Sequence, residues 1–318
     1  MLVLMKELRL YSRGIPASQK KYQFPEPPMP KKSFRQIINK AVKDDRFLVV
    51  PGAHDALSAR IIQQIGFETY FIGGFPVVGA RYGVPDVGLK GFGEISAAVR
   101  DIMAACDLPA FVDGDDGYGD VKNVVHTVQT YERMGVSAIL IEDQQWPKRC
   151  GHMVGKKVVP TEVAEAKIRA ACSERSNPET WILARTDARA VYDIDEAMRR
   201  AERYIRAGAD GIFIEAPRSV AELERIGRAF DIPQVCNPLM GGHTPILTME
   251  EMHDLGFICA VLGLDTVMHA ARAVEAVLLD MKSGKFALRN DGMDFEAYKK
   301  VVGYDKWESV DERFAPVT

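Results

Sequence analysis

A cysteine among basic residues is the first feature of the sequence that points to chemistry. Cys150 is preceded by Lys148 and Arg149 and followed by Gly151 and His152, shortly after an apolar run and an acidic pair. Nearby positive charge favours the thiolate of a cysteine, and such a residue serves as an acid or a nucleophile. The segment is therefore predicted to be an active-site loop. The alternative is a structural cysteine beside a solvated basic turn.

Acidic residues follow several short apolar runs. Asp113 and Asp115 follow one run, Glu142 the next and Glu215 a later one, while Asp86 lies in the segment after an earlier run. If these runs are parallel strands of a barrel, their carboxyl ends meet at one mouth. Clustered carboxylates repel one another, and their oxygens suit Mg²⁺ or Mn²⁺ better than zinc. The pattern predicts a divalent-cation site, and the alternative for Asp113 and Asp115 is a simple Asp-Gly turn.

Further polar residues are expected at the same mouth. Arg185 interrupts an apolar run, and because a buried unpaired charge is costly, it requires a carboxylate partner or an anionic ligand. Glu215 could be that structural partner. Asn237 either caps a turn or contacts a ligand. Three more acids follow predicted strands and are expected to face the mouth, namely Asp116, Asp143 and Asp187.

The rhythm of the chain predicts a (β/α)8 TIM barrel. Eight short apolar runs alternate with segments long enough for helices, as expected for parallel strands covered on both faces. The predicted strands are 47–53, 69–74, 109–115, 138–143, 181–188, 211–216, 234–239 and 260–264. Ser33 is placed to cap a first helix, and residues 266–306 supply more helix than a barrel needs. A doubly wound open sheet is the alternative, but no glycine-rich nucleotide motif follows the first strand.

Composition narrows the class of protein. The 318 residues are 47% hydrophobic and 27% charged with a net charge of −3, so we expect a soluble protein without a nucleic-acid or membrane partner. Five widely spaced cysteines without a Cys-x-x-Cys pair favour the reducing cytoplasm. Residues 1–33 are basic and proline-rich and are expected to form an N-terminal arm before a single domain at 34–318. A transit peptide at the N-terminus is the alternative.

Five motifs, in order along the chain, resemble one enzyme family. They are Asp113-x-Asp115, Ile141-Glu-Asp-Gln144, Lys148-Arg-Cys-Gly-His152, Ala184-Arg-Thr-Asp-Ala188 and Asn237 followed by Gly241-Gly-x-Thr-Pro245. Over about residues 34–290 the chain resembles the isocitrate lyase and phosphoenolpyruvate mutase superfamily. Its cysteine loop is similar to that of the carbon–carbon lyase branch, which includes lyases of 2-methylisocitrate and 2,3-dimethylmalate and the petal death type. The phosphonate mutases and hydrolases of the superfamily lack this cysteine.

The resemblance implies a Mg²⁺-dependent cleavage of the C2–C3 bond of a 2-hydroxy acid. Carboxylates that match Asp86, Asp113, Asp115 and Glu142 hold the metal in such enzymes, mostly through water. Breaking the bond yields a 2-oxo acid and a carbanion, which Cys150 would protonate. The resemblance further implies a homotetramer in which paired subunits exchange their last helices.

The resemblance also implies which residues bind and enclose a small-molecule substrate. Arg185 and the backbone of Gly73, Gly74 and Phe75 match positions that hold the substrate carboxylate. A loop containing Lys148, Arg149, Gly151 and His152 closes over the site, and we count these four residues, Asp86, Glu215 and Asn237 among the catalytic and substrate-binding residues.

Three departures from the family pattern bear on the substrate. Met240 stands where related lyases commonly have Glu, Gly73-Gly74 replaces a Ser-Gly pair, and Asp116 adds an acid beside the metal ligands. Met240, together with Phe75 and residues 146–147, predicts apolar surroundings for C3 of the substrate. We therefore expect a lyase of a 2,3-dimethylmalate-like acid. The alternatives are a methylisocitrate lyase, an oxaloacetate hydrolase or phosphonopyruvate-type enzyme, and a silent barrel used for binding.

Overall fold

The computed structural model describes residues 32–315, and eight parallel strands form its sheet. The strands are β1 (Leu48–Pro51), β2 (Tyr70–Ile72), β3 (Ala110–Asp113), β4 (Ala138–Glu142), β5 (Trp181–Thr186), β6 (Gly211–Ile214), β7 (Gln234–Cys236) and β8 (Cys259–Leu262). Their order is β1-β8-β7-β6-β5-β4-β3-β2. The Ala53 amide donates to the Phe71 carbonyl at 2.7 Å and Gly52 pairs with Phe71, so β1 meets β2 and the barrel is nearly closed. The predicted (β/α)8 barrel is confirmed, and the open sheet was the wrong alternative.

Helices surround the strands and extend beyond them. They are α1 (Phe34–Lys43), α2 (Ala56–Ile65), α3 (Gly74–Tyr82), α4 (Phe92–Met103), α5 (Val121–Met134), α6 (Thr161–Glu174), α7 (Ala188–Val191), α8 (Ile194–Arg206), α9 (Val220–Gly227), α10 (Met249–Asp254), α11 (Asp265–Ser283), α12 (Phe295–Val301) and α13 (Tyr304–Phe314). Ser33 caps α1 as predicted, because its hydroxyl accepts a hydrogen bond from the Gln36 amide. The extra helix predicted over 266–306 consists of three helices, α11, α12 and α13, and ends later, at Phe314.

The interior of the barrel is closed at its amino-terminal end by α1. Phe34 lies 5.1 Å from Phe111 and 5.2 Å from Trp181, measured between ring centroids, and all three side chains are buried. The inner core also takes alternate residues of the strands, such as Leu140 and Leu183. Successive side chains of a strand point to opposite faces, so the intervening residues pack outward against the helices. This alternation decides which polar residues reach the mouth.

Helix α11 presents apolar side chains that the single chain leaves exposed. None of its side chains is buried within the part of the chain that the structure describes. The exposed apolar residues include Met268, Val274, Leu278, Leu279 and Met281. The exchange of this helix between subunits stays a prediction. Among residues 32–315, no helix is long and apolar enough to cross a bilayer. The predicted arm at 1–33 lies almost entirely outside the described residues.

Candidate active site

The alternation of side chains along the strands builds the mouth of the barrel. Leu140 and Leu183 point into the inner core, and Glu142 and Arg185 follow two residues later on the same face of their strands. Register pairs Glu142 with Arg185 across β4 and β5, so the two charged groups are neighbours. The same spacing carries Asp113, Glu215 and Asn237 to the mouth. The alternation along each strand therefore places a layer of polar side chains above a layer of apolar side chains.

One cavity at this mouth gathers nearly all residues predicted for the site. It is lined by Gly73, Gly74, Phe75, Asp86, Asp113, Glu142, Lys148, Arg149, Cys150, Gly151, His152, Arg185, Glu215 and Asn237. Asp115 is the exception, because its carboxylate is buried beside the cavity rather than in its wall. The remaining wall is apolar and includes Leu239, Val261 and Leu264. The cavity thus has a charged side and an apolar side.

The acidic side of the cavity is held together by Lys148. Its ammonium lies 2.7 Å from Asp86 Oδ1 and 2.6 Å from Asp115 Oδ1, and both carboxylates are buried. Although burial opposes its charge, the surrounding carboxylates raise the pKa of Lys148 well above its ordinary value. Burial raises the pKa of Asp115 to about 7, and the Lys148 ammonium opposes that shift. Lys148 therefore belongs to the acidic cluster, not to the surroundings of the Cys150 sulfur.

The turn after β3 brings the carboxylates of Asp113 and Asp115 close to Gly74. Asp113 Oδ1 accepts from the Asp115 amide at 3.0 Å, and Oδ2 accepts from the Gly74 amide at 3.3 Å. Asp115 adopts a left-handed φ of 48°, which a non-glycine residue rarely holds outside functional or tightly constrained turns. A Cβ at position 74 would lie 3.1 Å from Lys148 Nζ and 3.4 Å from Asp115 Oδ1. The glycine lets the backbone approach the cluster closely.

The acidic residues of the cavity fit a hard divalent cation by the chemistry of their oxygens. Within residues 32–315 no three His, Cys, Asp or Glu side chains converge as direct ligands of one ion. Glu142 Oε1 is buried and has no hydrogen-bond partner among the residues described, and burial raises the pKa of Glu142, with Arg185 opposing the shift. Burial is the main cause of the raised pKa values of Glu142 and Asp115, so both carboxyl groups are easier to protonate than in water. Carboxylate oxygens are the ligands that Mg²⁺ prefers.

Arg185 is surrounded by carboxylates rather than isolated. It forms a two-pronged contact with Asp187, Nε to Oδ2 at 2.9 Å and Nη2 to Oδ1 at 3.1 Å. Its Nη2 also lies 3.1 Å from Glu215 Oε2, and Nε lies 3.5 Å from Glu142 Oε2. Although burial opposes its charge, Asp187, Glu215 and Glu142 raise its pKa. Glu215 is thus a partner of Arg185, which was one of the alternatives for this residue, and the guanidinium stays charged and fixed at the cavity wall.

The cysteine loop is held over the site by side chains at both of its ends. The Gln144 side-chain amide donates to the Arg149 carbonyl at 2.8 Å, and its oxygen accepts from the Arg149 amide at 3.0 Å. His152 Nδ1 accepts from the His243 amide at 3.2 Å. The proton of a neutral His152 ring is then on Nε2, which lies 3.1 Å from Glu215 Oε1. His152 therefore joins this loop to Glu215, directly after β6, and to the loop after β7.

The thiol of Cys150 differs from the expectation of a thiolate. Burial raises its pKa, and the negative charges of Glu215 and Asp86 add to the shift, against the His152 amide and Arg185. The nearby Lys148 points into the acidic cluster, and Arg149 is exposed. Lys148 and Arg149 thus do not stabilise its anion, and the contribution of His152 comes from its backbone amide. Cys150 is a protonated thiol at the cavity wall, suited to donate a proton.

Two acids expected at the mouth face outward instead. Asp143 Oδ2 accepts from Thr186 Oγ1 at 2.7 Å, from Tyr204 Oη at 2.9 Å and from Arg200 Nη1 at 3.0 Å. Asp116 pairs with Lys167 of α6 at 3.1 Å. Asp143 directly follows the inward Glu142, so alternation sends it to the helices. The expectation that Asp143 and Asp116 join the acidic cluster was wrong, and the cluster is smaller and better neutralised than predicted.

The apolar surroundings predicted from Met240 come from other residues. Met240 is 51% exposed and does not line the cavity, and Trp146, 39% exposed, lines a separate one. Of the residues expected to be near C3 of a substrate, only Phe75 lines the site. Sequence reasoning missed Gln144 as a site residue, and it expected Asp187 at the mouth without identifying it as the partner of Arg185. Both lie within the motifs quoted above, but the type of residue did not reveal its partner.

Comparison with known proteins identifies the family. The profile of the family described as phosphoenolpyruvate phosphomutase matches residues 39–282. The chain is 37% identical over 279 residues to 2,3-dimethylmalate lyase of Eubacterium barkeri, covering 85% of this chain and 94% of that protein. It is 35% identical to petal death protein of Dianthus caryophyllus, covering 89% and 90%. It is 34% identical to 2-methylisocitrate lyase of Halalkalibacterium halodurans, covering 91% and 96%.

Solved structures agree with the sequence relatives. A crystal structure of 2,3-dimethylmalate lyase matches with a TM-score of 0.82 and 28% identity, covering 90% of this chain and 97% of that one. Oxaloacetate acetylhydrolase bound to 3,3-difluorooxalacetate matches with a TM-score of 0.81 and 28% identity, covering 89% and 97%. Phosphonopyruvate hydrolase in complex with oxalate and Mg²⁺ matches at 0.79 and 26%, covering 90% and 100%. The family predicted from the five motifs is confirmed, and the chain is an enzyme of the phosphoenolpyruvate mutase/isocitrate lyase superfamily, among relatives that are carbon–carbon lyases.

Proposed function

We propose that this enzyme is a Mg²⁺-dependent lyase that cleaves the C2–C3 bond of a substituted 2-hydroxy dicarboxylic acid. Its products would be a 2-oxo acid and a carboxylic acid, with a 2,3-dimethylmalate-like acid as substrate. The observation that carries the proposal is the position of Cys150. Its protonated thiol lines the same cavity as Arg185, Asp113 and Glu142, and faces the space that a substrate would fill.

The residues of the cavity divide the work of binding. Arg185 supplies a fixed positive charge for one carboxylate of the substrate. The N-terminus of α3, at Gly73 and Gly74, opens into the same cavity and favours negative charge there. Because the amide of Gly74 already bonds Asp113, its contribution to substrate binding is shared with the acidic cluster.

The acidic cluster would hold the metal. Asp113, Asp115, Glu142 and Asp86 supply its carboxylate oxygens, directly or through water. When bound, Mg²⁺ would act as a Lewis acid on the C2 oxygen and the adjacent carboxylate of the substrate. Lys148 keeps the cluster from excess negative charge before the substrate arrives.

The bond-breaking step needs a base and an acid from the chain. Asp86 lines the cavity, whereas Asp115, the other acid paired with Lys148, lies behind it, so we assign Asp86 to accept the C2 hydroxyl proton. As the C2–C3 bond breaks, its electron pair passes to C3 and the C2–O bond becomes a carbonyl. Cys150 then donates its proton to C3, which completes the carboxylic acid product. The loop that carries Cys150 also excludes water from the carbanion.

The apolar side of the cavity favours small alkyl substituents on the substrate. Phe75, Leu239, Val261 and Leu264 form this side. Each buried methyl group contributes about 0.8 kcal/mol, whereas a third carboxylate placed there would be poorly solvated. This supports a dimethylmalate-type acid over methylisocitrate, and two methyl groups would favour it over malate by roughly tenfold or more in kcat/KM.

A second activity is favoured by one observation. Oxaloacetate acetylhydrolase is nearly as similar in structure as 2,3-dimethylmalate lyase, so hydrolysis of oxaloacetate is the alternative. The two activities leave different products from the same cavity.

A cytoplasmic location stays a prediction from cysteine usage.

Product analysis separates these activities. The purified enzyme with Mg²⁺ is incubated with 2,3-dimethylmalate, 2-methylisocitrate, isocitrate, oxaloacetate and phosphonopyruvate, and the products are identified by NMR. We expect pyruvate and propionate from dimethylmalate, at the highest kcat/KM of the panel. A clear preference for either tricarboxylic acid would overturn the apolar-wall reasoning. Oxalate and acetate from oxaloacetate, with no cleavage of the hydroxy acids, would establish the hydrolase instead.

A further inference from the structure

A buried lysine at the far end of the cysteine loop has no role in the mechanism above. Lys156 has only 2% of its side chain exposed, while the neighbouring Lys157 is exposed to solvent. The loop that runs from β4 to these two lysines is closed at its base. Gln144 forms a β-bridge with Val158, and the Gln145 amide donates to the Lys157 carbonyl at 2.8 Å. Lysine is rarely buried without a partner. The partners of Lys156 therefore reveal what its burial achieves.

The ammonium of Lys156 joins two parts of the site. It donates to the backbone carbonyl of Gly151, five residues earlier in the loop. It also lies 2.7 Å from Asp187 Oδ1, and Asp187 is the carboxylate that grips Arg185 with both of its oxygens. Burial raises the pKa of Asp187, but Arg185 and Lys156 outweigh it and lower the value to about 2. The Lys156 ammonium thus connects Gly151 of the loop to Asp187, the carboxylate that holds Arg185.

The Gly151 backbone rests directly on the charged wall of the cavity. A Cβ at position 151 would lie 2.6 Å from Glu215 Oε2 and would also collide with the Arg185 guanidinium. No side chain fits between the loop and this pair, so glycine alone permits the contact. The adjacent Cys150 sulfur takes its position from the same stretch of backbone. A shift of Gly151 by even an ångström would move the proton donor relative to the substrate.

We propose that Lys156 is a positioning residue that latches the cysteine loop onto Arg185 through Gly151 and Asp187. Lys156 holds the Gly151 carbonyl from one side while Arg185 and Glu215 support the residue from the other. Through Asp187 the same ammonium helps to orient the guanidinium that would bind the substrate carboxylate. The catalytic part of this inference rests on the proposed function, but the latch itself does not.

A purely structural Lys156 is the competing explanation. In that case the ammonium would only neutralise Asp187, and Arg185 could replace it in that task. Removing the ammonium would then leave the loop as ordered as before. The latch instead requires that the loop loosens while the barrel stays intact.

Amide hydrogen exchange in the absence of substrate measures the latch. Lys156→Met keeps the length and apolar stem of the side chain and removes the charge, and Lys157→Met is the matched control on the exposed neighbour. We expect amides of the segment 149–154 to exchange at least about tenfold faster in K156M than in the wild type, with the strands unchanged. K157M should behave as the wild type. Equal exchange of this segment in all three proteins would overturn the latch.

Turnover adds a readout that a structural role would not move. K156M and Lys156→Ala should lose at least about tenfold in kcat/KM on the substrate that the wild type cleaves. Propylamine, which supplies the missing ammonium, should partly restore K156A and leave K157A unchanged. A K156A enzyme that is slow but gains nothing from propylamine, with normal loop exchange, would assign Lys156 to structure. If the wild type cleaves none of the acids, the proposed function fails, and the exchange experiment still decides the latch. If K156A does not fold, K156M and its exchange decide it.

Discussion

Lys148 and Asp115 form a 2.6 Å ion pair at the side of the cavity. Because Lys148 lies in the cysteine loop and Asp115 in the turn after β3, this pair ties the position of the loop to the charge of the acidic cluster. The same ammonium also contacts Asp86. Under the proposed function, this single lysine would couple the binding of a cation to the placement of Cys150.

The first prediction concerns the metal. EDTA should abolish turnover, and Asp113→Ala should do the same, because Asp113 supplies oxygens at a strand end and not in the core. Mg²⁺ should raise the Tm of the wild type but not of D113A, since only a protein that binds the ion is stabilised by it. Asp101→Ala, at an exposed acid, is the control and should retain both properties. Full activity in EDTA would refute the metal assignment.

The second prediction concerns the acid. Cys150→Ser should lose at least about 10²-fold in kcat, because a hydroxyl is a far weaker acid than a thiol, while product binding survives. Cys172→Ser is the matched control, since Cys172 is also partly buried and lies in α6, where its side chain approaches Gly208. It should keep the wild-type kcat. If C150S turns over at nearly the wild-type rate, Cys150 is not the acid and the basic loop has only a structural role.

The third prediction concerns the protonation state of Cys150. Burial raises the thiol pKa, so the reactive thiolate is scarce at neutral pH and becomes more abundant as the pH rises. Alkylation of Cys150 by iodoacetamide should be slower at pH 7.5 than that of a free peptide thiol, and should still be rising above pH 9. Peptide mass spectrometry over a pH series follows this rate. A plateau below pH 8 would show a thiolate and contradict the account.

The fourth prediction concerns assembly. The apolar side chains of α11 are exposed in the single chain, and a patch of this kind marks an interface. We expect a homotetramer of pairs that bury α11 against a partner. Leu278→Asp together with Leu279→Asp should dissociate the pairs in analytical ultracentrifugation, whereas Lys282→Asp, on the same helix, should not. A wild-type monomer at micromolar concentration would contradict the assembly.

The strand ends were predictable because alternation is a local rule. Each inward apolar residue, such as Leu140 or Leu183, indicates that the residue two positions later faces the mouth. That rule leads to Glu142 and Arg185 once eight strands are recognised, and it would also have excluded Asp143, which faces outward. Residue type alone does not distinguish Asp143 from Glu142, whereas the parity of each position along the strand does.

The partners of the loop residues could not be predicted in the same way. Lys148 lies two residues from Cys150, yet its side chain reaches Asp115, which is distant in sequence. Met240 is expected near C3 of the substrate, but the path of its loop leaves it exposed. Both outcomes depend on the conformation of irregular backbone, for which sequence offers no repeating period. The burial of Lys156 also depends on the conformation of irregular backbone.

The central claim is that this enzyme breaks a C2–C3 bond and that Cys150 protonates the carbanion. NMR of 2,3-dimethylmalate cleavage in D2O with Mg²⁺ tests both parts at once. Deuterium at the Cys150 thiol should pass to C3, so we predict pyruvate and propionate that carries one deuterium at its C2, with C150S forming this product at least about 10²-fold more slowly. The absence of propionate, or its formation by C150S at the wild-type rate, would contradict the account.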